Sequence, residues 1–286
     1  MALSMIEQLL HCTIRIETIS ATGRGSGTGF FFHLLENNGS AVPVIITNKH
    51  VVAGATQGKI HFTLADPNGM PSIGNHVPML FESFEQSWIP HPDPNVDLCV
   101  MLINPVMDLL RNDGKNPFYI PLGRETIAQQ DTLNDLSAME EVMVIGYPNG
   151  IWDEVNNLPI VRKGITATPP SVAYQGKSQF LIDAAIFPGS SGSPVFLVNL
   201  GGYTDKQGNT HLGSSRLYLL GVVYAVHLHR TTGEIMQIPV PTDMRPVPVS
   251  NIPNNLGIVI PAHRIIEFDN VIKALIQKGD INANQV

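Results

Sequence analysis

Residues 185–196, AIFPGSSGSPVF, set two adjacent serines in a tight Gly/Pro bend between apolar flanks. A serine nucleophile needs a base within hydrogen-bond reach, a carboxylate to orient that base, and backbone N–H groups aimed at the developing oxyanion. The bend can supply the last of these. Small residues around Ser191 let the amides of Gly189 and Ser191 point to one side, and glycine adopts the dihedrals this requires. The candidate bases are ten histidines, among which His50 is singled out by its context, VPVIITNKHVVAGA, where a buried strand breaks and a short helical turn begins. A strand end is a rigid place to hold an imidazole. The candidate orienter is Asp97 in NVDLCVMLI, an acid that opens an apolar strand, where partial shielding strengthens its effect on a histidine. Taken singly, each has an ordinary structural reading: a serine in a Gly/Pro bend is a turn residue, a histidine at a strand end is a polar terminus, and an aspartate before a strand is a cap. Only the joint pattern carries weight.

The elements that must hold these residues are mostly strands. CTIRIET, TGFFFHLL, PVIITN, KIHFTLA, DLCVMLI, EVMVIGYP, QFLIDAAI, SPVFLVNL, LYLLGVVYAVHL and LGIVIP are short, rich in β-branched and aromatic residues, and bounded by Gly, Pro, Asn or Asp. With 25 Gly and 22 Pro in the chain, many short strands joined by turns predict an antiparallel barrel or sandwich. The one clear helical pattern is at residues 261–279, where Ile265, Ile266, Val271, Ile272, Leu275 and Ile276 form an apolar stripe and Gly279 is the stop. Residues 4–10, SMIEQLL, are a second candidate. Two stretches read as long connections: 104–140, and 239–253, whose five prolines predict an extended surface loop.

Composition excludes several classes of function. Apolar residues make up 43% of the 286 and charged residues 14%, which argues against disorder. A net charge of −7 without any Lys/Arg-rich run disfavours nucleic acid as a partner. The longest apolar run, 217–226, is too short to span a bilayer. The start, MALSMIEQLLHC, lacks a basic region and carries Glu7 in its apolar part, so it does not read as a secretory signal. Two cysteines, Cys12 and Cys99, make no disulfide framework and fit a reducing compartment; the expected location is cytoplasmic. Nothing in the sequence fixes an oligomeric state.

The joint pattern resembles the chymotrypsin-like serine peptidases, and within them the bacterial trypsin-like, HtrA-type group. TNKHVV is similar to that family's His motif, VDLCVMLI to its Asp strand and DAAIFPGSSGSPVF to its Ser motif. His50, Asp97 and Ser191 follow in the family's order, with separations of 47 and 94 residues. GSGTGFFF, VMVIGYPNG, GVVYAV and LGIVIP support the match, which covers roughly residues 12–262. The resemblance implies two antiparallel β-barrels, at 1–125 with His50 and Asp97 and at 126–262 with Ser191, and a C-terminal helix and tail at 263–286. It implies peptide-bond hydrolysis by a Ser-His-Asp triad, an oxyanion hole at Gly189 and Ser191, no metal or organic cofactor, and a protein or peptide as substrate. It places substrate backbone beside Ala225, Val226 and His227, with His227 at the pocket mouth. It makes Ala185, six before the nucleophile, the pocket floor. Ala185, Ile186 and Val226 are small or apolar, so the expected preference is for small-to-medium apolar residues before the cleaved bond. Asp183 is the nearest acid.

The sequence also departs from the family. Ser190 stands where secreted digestive members carry an acid that pairs with a new N-terminus, and there is no IVGG-type start, so activation by N-terminal trimming is not supported. Ser193 replaces the second glycine of Gly-Gly-Pro. One helix after residue 262 leaves no room for a PDZ domain.

Three rivals remain. An α/β-hydrolase elbow needs G-x-S-x-G before a helix; here the last glycine is Ser193 and a strand follows, although Asp243 and His263 are in order. His227 and His229 share a strand face, without any HExxH or CxxC to complete a metal site. The third is an inactive or latent protease-shaped binding module, since fold alone never proves function.

Overall fold

The computed structural model describes residues 3–37, 40–231 and 250–281, with side chains throughout except at 225–231 and 250–254. A short helix α1 (Met5–Leu10) opens the chain, closed at its N-terminus by a capping box in which Ser4 and Glu7 each bond the other's backbone N–H. Seven strands follow: β1 (Thr13–Ser20), β2 (Gly23–Asn37), β3 (Ser40–Thr47), β4 (Ala55–Ala65), β5 (Pro71–Glu82), β6 (Ile89–Pro90) and β7 (Cys99–Leu102). The turn α2 (Lys49–Val52) lies between β3 and β4. These strands form one antiparallel sheet in the order β5-β4-β1-β2-β3-β7-β6. The connection expected at 104–140 contains two helices, α3 (Asn104–Asn112) and α4 (Gln130–Asp135).

The second half contains β8 (Glu141–Gly146), β9 (Ile160–Thr166), β10 (Phe180–Asp183), β11 (Pro194–Asn199), β12 (Gly202–Thr204), β13 (Thr210–Leu212), β14 (Arg216–Thr231) and β15 (Ser250–Pro261). Six of them close a barrel in the order β10-β15-β14-β11-β8-β9, while β12 and β13 form a separate hairpin. The chain is therefore mostly antiparallel β, as its sequence implies. The closed ladder is the C-terminal one; the N-terminal ladder runs between two edge strands, one of which, β6, is two residues long and ends in a proline that has no N–H to extend the pairing. Of the proline-rich stretch, 239–249 lie outside the described residues, and 250–253 are strand rather than loop.

The triple phenylalanine in β2 shows how the halves are joined. Phe31 points into the core of the N-terminal sheet with Ile14, Ile45, Phe62 and Trp88. Its neighbours Phe30 and Phe32 point the other way, into a cluster shared with Phe196 and Leu219 of the barrel. Successive strand residues face opposite sides, so a strand buried on both reads as a continuous apolar run. A third cluster, with Val144, Phe180, Val195 and Val259, fills the barrel. The C-terminal helix α5 (Phe268–Lys278) buries Phe268 and Ile272 in the shared cluster and ends at Gly279 in the left-handed conformation (φ 77°). Its Asp269 accepts from the Leu35 N–H (3.0 Å) and pairs with Arg124 (2.6 Å), fastening the helix to the first half. Among the described residues no helix is long and apolar enough to cross a membrane.

Candidate active site

β3 ends at Thr47, and Asn48 is still extended (φ −85°, ψ 147°) before α2 turns away. The Asn48 side chain is buried and donates through Nδ2 to the Asp97 carbonyl (2.7 Å), which ties the strand end to the segment leading into β7. Lys49 Nζ adds a bond to the Asp93 carbonyl (3.1 Å). The Asp97 carboxylate then meets His50 twice: Oδ1 accepts from the His50 backbone N–H (3.1 Å) and Oδ2 lies 2.5 Å from Nδ1. A carboxylate can only accept, so Nδ1 carries a proton, and in the neutral ring Nε2 is the free acceptor. The His50 side chain is 48% exposed and that of Asp97 24%, so the ring reaches solvent while its partner is shielded.

The serine bend is built differently, from backbone. Gly189 (φ 88°) and Gly192 (φ 85°) are both in the left-handed region. A Cβ on Gly192 would lie 1.9 Å from the Thr28 carbonyl oxygen, and one on Gly189 2.6 Å from that of Tyr147, so neither position has room for a side chain. Each carbonyl from 187 to 191 is held by a donor. Phe187 O accepts from Ser190 N–H (3.0 Å), Pro188 O from Asn149 N–H (2.5 Å), Ser190 O from Ser193 N–H (3.0 Å) and Ser191 O from Thr28 N–H (2.9 Å). Gly189 O accepts from the Thr28 hydroxyl (3.0 Å). The N–H groups of Gly189 and Ser191 have no partner among the described residues. Two free donors flanking the serine are what an oxyanion requires.

Of the three hydroxyls in the bend, Ser190 is buried at 2% exposure and Ser193 at 0%. Only Ser191 is partly exposed. It lines a cleft of about 370 Å³ together with Gly189, Pro188, His50, Val51, and Ser20 and residues 22–26 of the β1–β2 hairpin. His50 and Ser191 face this cleft without a hydrogen bond between them, a spacing common before substrate closes the contact. β11 pairs with β14 only from Val222 back to Arg216, and the opposite edge of β14 continues against β15 as far as Thr231. The backbone of 224–227 therefore has one edge that β11 does not cover. Ala225, Val226 and His227 are placed there by backbone alone; their side chains, and that of His229, lie outside the described residues.

At the expected pocket floor, β10 ends at Asp183 and the chain tightens, with Ile186 N–H donating to Ala184 O (2.7 Å). Strand pairing stops here, although burial still alternates, with Ala184 and Ile186 buried in the barrel core. Asp183 is exposed and Ala185 half-buried on the opposite side, while Ile186, expected to line the pocket, is instead fully buried in the barrel core. Three residues that hold the site were not legible as such: Thr28, Asn48 and Asn149. Thr28 lies inside the quoted GSGTGFFF, and a polar residue in a run buried on both faces was the available signal. Asn149, like the glycines of the bend, has a positive φ (51°).

Comparison with known proteins gives a consistent result. A family profile described as the trypsin-like peptidase domain matches residues 27–201, more than half of the chain and a span that includes His50, Asp97 and Ser191. No curated protein sequence matches. Among solved structures, the HtrA-type protease AlgW with a tripeptide is similar at 18% identity and a TM-score of 0.50, over 96% of this chain and 63% of that one. A serine endoprotease from Yersinia pestis is similar at 18% identity and a TM-score of 0.45, over 98% of this chain and 69% of that one. The chain thus spans 63% of the length of AlgW as solved, and identities this low speak to the fold alone. With the fold, the profile match and the cleft in agreement, the chain belongs to the trypsin-like peptidase family.

Proposed function

We propose that this chain is a serine endopeptidase working through an acyl-enzyme, with Ser191 as nucleophile, His50 as base and Asp97 as its orienter. The observation that carries the reading is one cleft holding a histidine with a bare Nε2, fixed by Asp97 at 2.5 Å from Nδ1, beside a partly exposed serine flanked by two unpaired N–H groups. In this reading Ser191 Oγ attacks the peptide carbonyl carbon while His50 Nε2 takes its proton. The carbonyl oxygen becomes the oxyanion at the Gly189 and Ser191 amides. As the C–N bond breaks, His50 returns the proton to the leaving amine, and water repeats the cycle on the ester to release the acid.

Substrate backbone adds as a strand beside 225–227, along the edge of β14 that β11 does not cover. A basic side chain in the specificity pocket would need a buried carboxylate. Asp183 is exposed at the end of β10 rather than buried, and Ala185 is small and apolar, which supports cleavage after Ala, Val, Leu or Met. One methylene is worth about 1–3 kcal/mol in such a pocket, so discrimination among these is modest. Digestion of a mixed peptide library tests both parts. Cleavage by wild type and Ser190→Ala but not by Ser191→Ala supports the assignment. A dominant signal after Arg or Lys overturns the pocket reading, and a silent wild type favours the binding-module alternative.

A further inference from the structure

Thr28 belongs to the N-terminal sheet, 161 residues away in sequence from the bend it touches, and its side chain is completely buried. Its hydroxyl has two partners. It donates to Gly189 O (3.0 Å) and accepts from the Tyr147 N–H (3.1 Å). Its backbone N–H donates to Ser191 O (2.9 Å), and its carbonyl accepts from the Thr47 hydroxyl (2.7 Å), one residue before Asn48 and three before His50. One residue of β2 thus bridges the nucleophile bend, the start of the β8–β9 connection and the strand end that carries the base.

We propose that the Thr28 hydroxyl is a positioning residue for the oxyanion hole, which the proposed peptidase reading places at Gly189 and Ser191. The two donor N–H groups belong to the peptide planes 188–189 and 190–191. The plane between them, 189–190, is the one whose carbonyl Thr28 Oγ1 holds. It pivots on Gly189, where no Cβ resists rotation, so without the Thr28 bond the carbonyl end of the plane, at φ 88°, is held only through its Ser190 N–H. Turning this plane shifts both donors relative to each other and swings a carbonyl oxygen toward the cleft, where it would repel an oxyanion. The outer planes have separate anchors, Asn149 N–H on Pro188 O and Ser193 N–H on Ser190 O. The middle plane is held within the turn by Ser190 N–H on Phe187 O (3.0 Å), and among the described residues Thr28 is its one anchor from outside the bend. The proposal adds to the triad a residue that never touches substrate and acts only through the geometry of the donors.

Thr28→Val tests it, because valine keeps the shape, removes the hydroxyl, and leaves Gly189 O and the Tyr147 N–H unpaired. The wild type, Thr28→Val and Thr28→Ser are compared on one peptide substrate, and on a peptide aldehyde that forms a tetrahedral adduct with a serine hydroxyl. The expected result for Thr28→Val is a kcat about 10- to 100-fold lower with KM within about twofold, the size seen when an oxyanion donor is misplaced. Aldehyde affinity should fall by the same factor as kcat/KM. Thr28→Ser, which keeps the hydroxyl, should stay within about threefold of wild type on both. A folded Thr28→Val protein with kcat within twofold of wild type overturns the proposal, as does a Thr28→Ser protein as slow as Thr28→Val. Should Thr28→Val fail to fold, Thr28→Cys, with a similar volume and a weak donor, is read by the same criteria as Thr28→Val. A wild type that neither cleaves peptides nor binds the aldehyde defeats the peptidase reading and this proposal with it, whereas an active wild type with an indifferent Thr28→Val defeats this proposal alone.

Discussion

Asp97→Asn is the substitution for which the site geometry makes the sharpest demand. The native carboxylate accepts twice, from the His50 backbone N–H (3.1 Å) and from Nδ1–H (2.5 Å). An amide has one oxygen and one NH2, so it can satisfy only one of these. If its oxygen faces the backbone N–H, its NH2 faces Nδ1; the ring then keeps its proton on Nε2 and is no longer a base. If its oxygen faces Nδ1, the NH2 confronts the backbone N–H, donor against donor, at a cost of about 2 kcal/mol for the unmade bond. The backbone therefore selects the wrong tautomer by about 30-fold, taking 1.36 kcal/mol per factor of ten. Loss of the negative charge opposite the imidazolium that forms in the transition state adds to this, and the general behaviour of such triads sets the total near 10⁴ in kcat, or about 5.4 kcal/mol. The assay is steady-state hydrolysis of one peptide at neutral pH, with thermal unfolding as control. The expected outcome is kcat lower by about 10⁴ and Tm within a few degrees of wild type. A folded Asp97→Asn protein within tenfold of wild-type kcat would refute the reasoning.

Other expectations follow from the same geometry. Gly192→Ala, which places a Cβ 1.9 Å from the Thr28 carbonyl at a φ of 85°, should destabilise the fold by at least about 3 kcal/mol in chemical denaturation; a loss under 1 kcal/mol would contradict the packing. Ser193→Ala removes a buried hydroxyl that has no partner among the described residues, so stability should stay level or rise by up to about 1 kcal/mol, and a marked loss would show that the hydroxyl has a role. Burial, ahead of the nearby Lys59 charge, pushes His61 down to about 4, and burial likewise lowers His11, His91 and His263. A base that is harder to protonate folded than unfolded contributes its full stability above its ordinary value of 6.5 and loses it as pH falls toward about 4, so Tm should decline across that window; a Tm that holds or rises there would be inconsistent with these environments.

The parts of the molecule legible in the sequence are those whose signal is local. Strand runs, the stripe ending at Gly279 and the short helix within residues 4–10 each depend on a few neighbouring residues. The helix at 104–112 was read as connection because it starts at Asn104-Pro105, an ordinary strand-to-loop signal, and its apolar positions Val106, Met107 and Leu110 are too few to display a period. Thr28 was quoted without its role, because that role exists only once β2 is laid against a bend 161 residues later. The openness of the N-terminal ladder was equally hidden, since it depends on how far β6 pairs rather than on whether 89–90 is extended.

The central claim is that Ser191, activated by His50, is the nucleophile. Reaction with a fluorophosphonate probe, followed by mass mapping of the modified peptide, tests it most directly. A single adduct on Ser191 is predicted, retained in Ser190→Ala and lost in both Ser191→Ala and His50→Ala. An adduct on Ser190, or labelling that persists in Ser191→Ala, would contradict the account.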